Sequence, residues 1–210
     1  MESRKEQEIK HYDTGSQEWL RDPTSFKEYK PLALASYRFC YALLRKHANN
    51  ARVLDYGCGN GVHLVYLASS AKSVVGIDLS EKSLEIAHRR IGTIAEKEKI
   101  TLQVMDCEHL EFPPNSFDVV FDGGTFSSLD FETSMKEISR VLTPDGTVIG
   151  IETFGHNPLT NLKRRLNKKR GVRTAWAAEH ILTEKKLNRR VNFCRKPPTV
   201  PLQHNGAVRA

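Results

Sequence analysis

Val53-Leu-Asp-Tyr-Gly-Cys-Gly-Asn-Gly61 is an apolar run that stops abruptly on three glycines spaced two apart. A short run of this kind, from Ala51 to Tyr56 and ended by glycine, reads as a buried strand. Glycines at 57, 59 and 61 let the backbone turn sharply and let a ligand approach the main chain with no Cβ in the way. Asp55 places an acid inside that turn. A helix is expected from Gly61 to about Ser69.

Working outward, Ser73-Val-Val-Gly-Ile77 is a second short apolar run, closed by Asp78. Ser80 and Glu81 then start a helix with an N-cap residue and apolar positions Leu84, Ile86, Ala87 and Ile91 on one face. Ile100 to Val104 reads as a third strand, with Asp106 just beyond it. Phe117-Asp-Val-Val-Phe121 reads as a fourth, broken by Asp122-Gly-Gly. Phe131 to Leu142 is helical in pattern and ends on the turn Thr143-Pro-Asp-Gly146, after which Thr147-Val-Ile-Gly-Ile151 is a fifth strand. On the other side of the glycines, Pro31 to about His47 has mostly helical apolar spacing. Strands alternating with helices predict an α/β fold, doubly wound and mainly parallel, with helices on both faces of a Rossmann-like sheet.

Ligands in such a sheet bind at the carboxyl ends of the strands, beside the point where strand order reverses. Asp78 lies 21 residues beyond Gly57, at the end of strand two, where a carboxylate can accept from both hydroxyls of a ribose. A glycine turn alone also serves as a tight connection without a ligand; here strand, glycines, helix and spaced acid coincide. A dinucleotide fingerprint calls for a third glycine at position 62, which is Val62, and there is no Gly-Lys-Ser/Thr of a phosphate loop. What remains is a nucleoside without phosphates and with a polar far end, which S-adenosyl-L-methionine satisfies.

Charge divides the chain. The 210 residues carry 32 Lys and Arg against 25 Asp and Glu, a net of +7, but residues 156–210 alone hold 14 basic residues against 2 acidic ones. An acidic body therefore precedes a basic end. The four cysteines, Cys40, Cys58, Cys107 and Cys194, show no zinc-ligand spacing, so no metal is expected, and they fit a reduced compartment. The polar start, Met1-Glu-Ser-Arg-Lys-Glu, lacks a signal-peptide pattern, and no run reaches the roughly 18 apolar residues of a membrane span. The expected location is cytoplasmic.

Val53 to Gly61 resembles motif I of the class I S-adenosylmethionine-dependent methyltransferases, within the type 11/25-like methyltransferase domains. Asp78-Leu-Ser80 resembles the family's acidic ribose motif and Met105-Asp-Cys107 its adenine-side motif. Phe117 to Asp122 is similar to its fourth strand, and Arg140 to Thr147 to its turn into strand five. The likeness runs from about residue 32 to 154. It implies that Gly57, Cys58, Gly59 and Gly61 form the loop around the methionine end, with Asp55 polarising it or contacting the amino group. By the same resemblance, Asp78 takes the ribose hydroxyls, Leu79 covers one face of the adenine, and Asp106 accepts from the adenine amino group beside the Cys107 backbone. Asp122 and Gly123 would face the methionine moiety and the acceptor. Asp106 and Asp122 also have a plainer reading, as loop residues capping backbone amides. Asp130 reads as a solvated residue and Asp145 as a turn residue.

Methyl transfer from a sulfonium needs chiefly in-line positioning, and a general base only when the acceptor arrives protonated. His156 and His180 are the candidates for that base; otherwise the catalytic residues are unassigned. His63 reads as a surface or packing residue, and Trp176 either lines an acceptor pocket or packs on the sheet. His11-Tyr-Asp13 resembles an N-terminal arm that closes over the cofactor.

The family's last two strands have no clear counterpart. Asn188 to Ala210, with Pro197, Pro198 and Pro201, has no sustained period. Strand five is thus expected to be an edge, and the chain to divide into an arm (1–31), a cofactor-binding domain (32–155), a helical acceptor-side cap (156–187) and a disordered basic tail (188–210). The expected activity is methyl transfer to a small-molecule acceptor. The alternatives are an RNA or protein methyltransferase using Lys163-Arg-Arg and Lys168-Lys-Arg170, and an inactive cofactor-binding fragment; Asp122-Gly-Gly-Thr, in place of Asn/Asp-Pro-Pro-Tyr, disfavours a nucleic-acid partner.

Overall fold

The computed structural model of the protein describes residues 3–21, 35–152, 161, 174–183 and 207–209. In chain order, the elements that position the site are α1 (Arg4–Arg21), α2 (Ala35–His47), β1 (Arg52–Tyr56), α3 (Leu64–Ala68), β2 (Ser73–Asp78), α4 (Glu81–Ile91) and β3 (Ile100–Val104). They are followed by β4 (Phe117–Asp122), α5 (Phe131–Val141), β5 (Leu142–Ile151), a short α6 (Ala175–Glu179) and β6 (Ala207–Arg209). The sheet order is β3-β2-β1-β4-β5-β6, with every pair parallel except β5 and β6. Order reverses between β1 and β4, so the crevice that such sheets offer a ligand lies above these two strands.

Strand alternation sends side chains to two separate cores. Val53, Val74, Val119, Phe121 and Ile149 pack under α2, α3 and α4, while Leu54, Tyr56, Val120 and Val148 pack against Ile138 and Val141 of α5. Both layers are needed because a parallel sheet is apolar on both faces. Helix starts follow capping chemistry: Ser80 accepts from the Ser83 amide at the start of α4, and Asp130 accepts from the Thr133 amide at the start of α5. The solvated role expected for Asp130 is therefore corrected; it is an N-cap.

Two further details depart from expectation. The turn expected at Thr143–Gly146 lies within β5, which begins at Leu142 opposite Phe117 and shifts register before Thr147 meets Val119. A bulge admits the extra residues without ending the pairing. Strand five is also not a bare edge along its whole length, because Ala207–Arg209 run antiparallel to Ile149–Ile151. Three residues are too few for a strand period, so this long-range pairing had no local signal.

Candidate functional site

The three glycines of the motif do three different jobs. Gly57 has φ +72°, and a Cβ there would stand 2.4 Å from Thr125 Oγ1, so glycine is required for the close approach of the β1 and β4 turns. Gly61, at φ +75°, meets Ala87 of α4 in the same sense, at 2.9 Å, and belongs to helix packing. Gly59, at φ +51°, has open space where its Cβ would be. Only Gly57 and Gly59 of the three line the cavity that opens here.

That cavity holds about 240 Å³ at the carboxyl ends of β1, β2 and β4. Gly57 and Gly59 form its wall on β1, Asp78, Leu79 and Ser80 its wall on β2, and Gly123, Gly124 and Thr125 its wall beyond β4. Asp106 and Cys107, beyond β3, also line it. Asp78 ties two of these segments together: Oδ2 accepts from the Gly59 amide at 2.9 Å and Oδ1 from the Ser80 amide at 2.8 Å. Burial raises its pKa, against the pull of those amides.

Asp106 accepts the Glu108 amide on Oδ1 at 2.9 Å, and on Oδ2 it meets the Lys5 ammonium and His109 Nδ1. Desolvation pushes its carboxyl up, but Lys5 and the Glu108 amide outweigh this and hold it below the ordinary range. Cys107 is buried, and its carbonyl accepts from the Tyr56 hydroxyl at 2.5 Å.

Asp55, Cys58 and Asp122 sit behind the cavity rather than on it. Asp55 is fully buried with neither carboxyl oxygen hydrogen-bonded, and burial, with the nearby Asp78 charge, pushes its pKa up to about 8. The Cys58 thiol is buried and its pKa raised, chiefly by desolvation. Asp122 turns back to accept the Gly124 and Thr125 amides at 3.2 and 3.0 Å, the plainer of its two expected roles. Burial, followed by the neighbouring Glu152 carboxyl, raises its pKa.

Helix α1 covers the cavity. Arg4, Lys5, Glu8, Ile9 and Tyr12 line it, at the three- and four-residue spacing that puts them on one face. Ion pairs of Arg4 with Glu108 (2.5 Å) and of Lys5 with Asp106 hold its start. Tyr12 with Ser128 (3.3 Å), Asp13 with Ser80 (2.5 Å) and Ser16 with Ser83 (3.0 Å) hold its middle. Of these residues only Tyr12 and Asp13 fell within the segment singled out by sequence; the lining face is polar, and periodic hydropathy does not register it.

His180 caps α6, its ring stacked on Trp176 at 3.5 Å and its Nδ1 3.0 Å from the Trp176 carbonyl, outside the cavity lining. The Arg4 guanidinium of α1 lies 4.7 Å above the ring of Trp176, which is not among the residues lining the cavity. His63 packs between Tyr37 and Phe121, with Nδ1 2.7 Å from the Tyr41 hydroxyl, and burial lowers its pKa to about 4. His156, Lys163 to Arg165, Lys168 to Arg170 and Cys194 lie outside the described residues.

A glycine-lined crevice at the switch point, an acid at the end of β2 and a second acid beyond β3 define a Rossmann-like protein with a candidate ligand site at the carboxyl ends of its strands. Residues 54–150 match the family model described as a methyltransferase domain. The ubiquinone/menaquinone biosynthesis C-methyltransferase of Geotalea daltonii is 32% identical over 111 residues, which is 51% of this chain and 47% of that protein. The demethylmenaquinone methyltransferase of Bacillus licheniformis is 32% identical over 148 residues, 69% of this chain and 58% of that protein. The matched region thus spans about half the length of these curated relatives. Among solved structures, a SAM-dependent methyltransferase from Aquifex aeolicus shares the fold with TM-score 0.60 at 17% identity, over 87% of each chain.

Proposed function

We propose that the chain is an S-adenosyl-L-methionine-dependent methyltransferase acting on a small-molecule acceptor by in-line displacement. The observation that carries this is the cavity itself: glycine backbone, the Asp78 carboxylate and the Asp106–Cys107 segment meet under α1 at the switch point. In this reading Gly57 and Gly59 hold the methionine end and Asp78 takes the ribose hydroxyls. Leu79 covers the adenine, Asp106 and Cys107 read its edge, and Gly123 borders the methyl. Asp55, Cys58, Gly61 and Asp122 shape the loops from behind.

The residues present fit this cofactor. Gly59 leaves open space where a ligand backbone contact would form, and Asp78 and Asp106 line the cavity with carboxyl oxygens that accept hydrogen bonds. When bound, the cofactor supplies a methyl on a positively charged sulfur that is ready to leave. The chain's own part is to orient that group and to exclude water from it, which α1 does by covering the cavity.

The names of the curated relatives, a ubiquinone/menaquinone biosynthesis C-methyltransferase and a demethylmenaquinone methyltransferase, support a small organic acceptor for this chain. Among the described residues no helix is long and apolar enough to cross a membrane. The cytoplasmic location is part of the proposal, supported by three buried free cysteines, Cys40, Cys58 and Cys107. A screen of small acceptors, reduced naphthoquinones first and an RNA pool as comparison, with methyl-labelled cofactor tests the function. Transfer of label to a small acceptor is expected; label in RNA alone would overturn the acceptor class, and no transfer to any acceptor would favour a binding role.

A further inference from the structure

Asp106 already has its partners. Its two oxygens offer about four lone-pair positions, and three donors occupy them: the Glu108 amide, His109 Nδ1 and the Lys5 ammonium. Lys5 is held there by α1, whose neighbouring Arg4 is paired with Glu108, and it also stands 3.5 Å from Glu108 Oε2. Both Lys5 and Asp106 line the cavity.

We infer that Lys5 is a built-in competitor for the position of the adenine amino group on Asp106, and that it sets how strictly the pocket distinguishes a 6-amino from a 6-oxo purine. The inference rests on the reading above, that Asp106 receives the base. An amino group that reaches Asp106 from the cavity competes with Lys5, which lines the same cavity, so the ion pair opposes adenine. A 6-oxo base has only an acceptor at that edge, and the Lys5 ammonium is a donor already in place. Lys5 therefore narrows the difference between the two bases, and its removal widens it.

Titration of the full chain with S-adenosylhomocysteine and with S-inosylhomocysteine tests this. In Lys5→Met the adenine ligand should bind ~10-fold tighter and the inosine ligand weaker, while Lys5→Arg, which keeps the charge, should keep the wild-type ratio. Raising salt should tighten S-adenosylhomocysteine on the wild type and leave Lys5→Met unmoved. An unchanged ratio in a Lys5→Met protein that melts like the wild type, or weaker adenine binding in it, overturns the inference. Lys5→Gln serves in place of Lys5→Met if the latter does not fold. Failure of the underlying reading looks different: the wild type would not bind S-adenosylhomocysteine, or Asp106→Asn would bind it unchanged.

Discussion

The Asp78 carboxylate accepts a hydrogen bond from the Gly59 amide at 2.9 Å, joining the end of β2 to the glycine turn that follows β1. The same carboxylate fixes the first turn of α4 through Ser80. The acid proposed to take the ribose therefore also sets the shape of the glycine loop beside it. Its effects on stability and on binding are coupled.

Gly57 and Gly59 separate those effects. Gly57→Ala drives a Cβ into Thr125 at a positive φ and should lose roughly 1–3 kcal/mol of folding stability. Gly59→Ala meets open space and pays only the backbone cost of about 1 kcal/mol, yet puts a methyl toward the cavity. Thermal melts with and without S-adenosylhomocysteine distinguish them. Gly57→Ala should melt lower, and Gly59→Ala should melt nearer the wild type but gain less from ligand; the opposite order would contradict these assignments.

Asp55 makes stability depend on pH. Its folded-state pKa of about 8 is above the ordinary 3.8, so the folded protein holds a proton that the unfolded chain releases. That contribution is fully present below about pH 4 and is lost as pH rises through 8, at up to roughly 1.4 kcal/mol per pH unit in between. Asp55→Asn removes it. Denaturant titrations should show the variant gaining on the wild type between pH 5 and pH 8; a difference that does not move with pH would mean Asp55 is ionised in the fold.

His63 acts in the opposite direction. Burial lowers its pKa to about 4 from 6.5, so its contribution is present above pH 6.5 and lost as pH falls through 4. Replacement by Phe should flatten the acid limb of the unfolding profile, at the expense of the Tyr41 contact. An unchanged acid limb would place the loss elsewhere.

Glu108 anchors α1. It is buried, takes Arg4 at 2.5 Å and accepts the Asp130 amide at 2.6 Å. Glu108→Ala leaves Arg4 and that amide without their acceptor, a loss on the order of 2–4 kcal/mol if the contacts are not replaced. Limited proteolysis should then cut within 4–21 sooner than in the wild type, while the sheet resists. Equal protection of α1 in both proteins would show that its other contacts suffice.

Much of this was legible locally. Strand three was bounded by its apolar run and strand four to within a residue, Ser80 was visible as a cap, and the spacing of Asp78 from Gly57 put a carboxylate on the switch point. What was not legible depends on distant partners. Asp122 looks like a ligand-facing acid by position, but its side chain finds its own turn amides first. Cys58 and Gly61 carry the motif pattern and serve packing, which only Gly76 and Ala87 reveal. Lys5 and Glu8 belong to a polar face that covers a cavity, and a polar face looks the same in sequence whether it meets water or a site. The bulge in β5 and the pairing with β6 arise between strands far apart in sequence.

Calorimetric titration of the chain with S-adenosylhomocysteine, in the wild type and in Asp78→Ala, bears most directly on the cofactor site. Saturable binding at one site is expected in the wild type, with affinity reduced about 100-fold or more in the variant as the ribose and loop contacts are lost. Absence of binding to the wild type, or equal affinity in a folded Asp78→Ala protein, would contradict it.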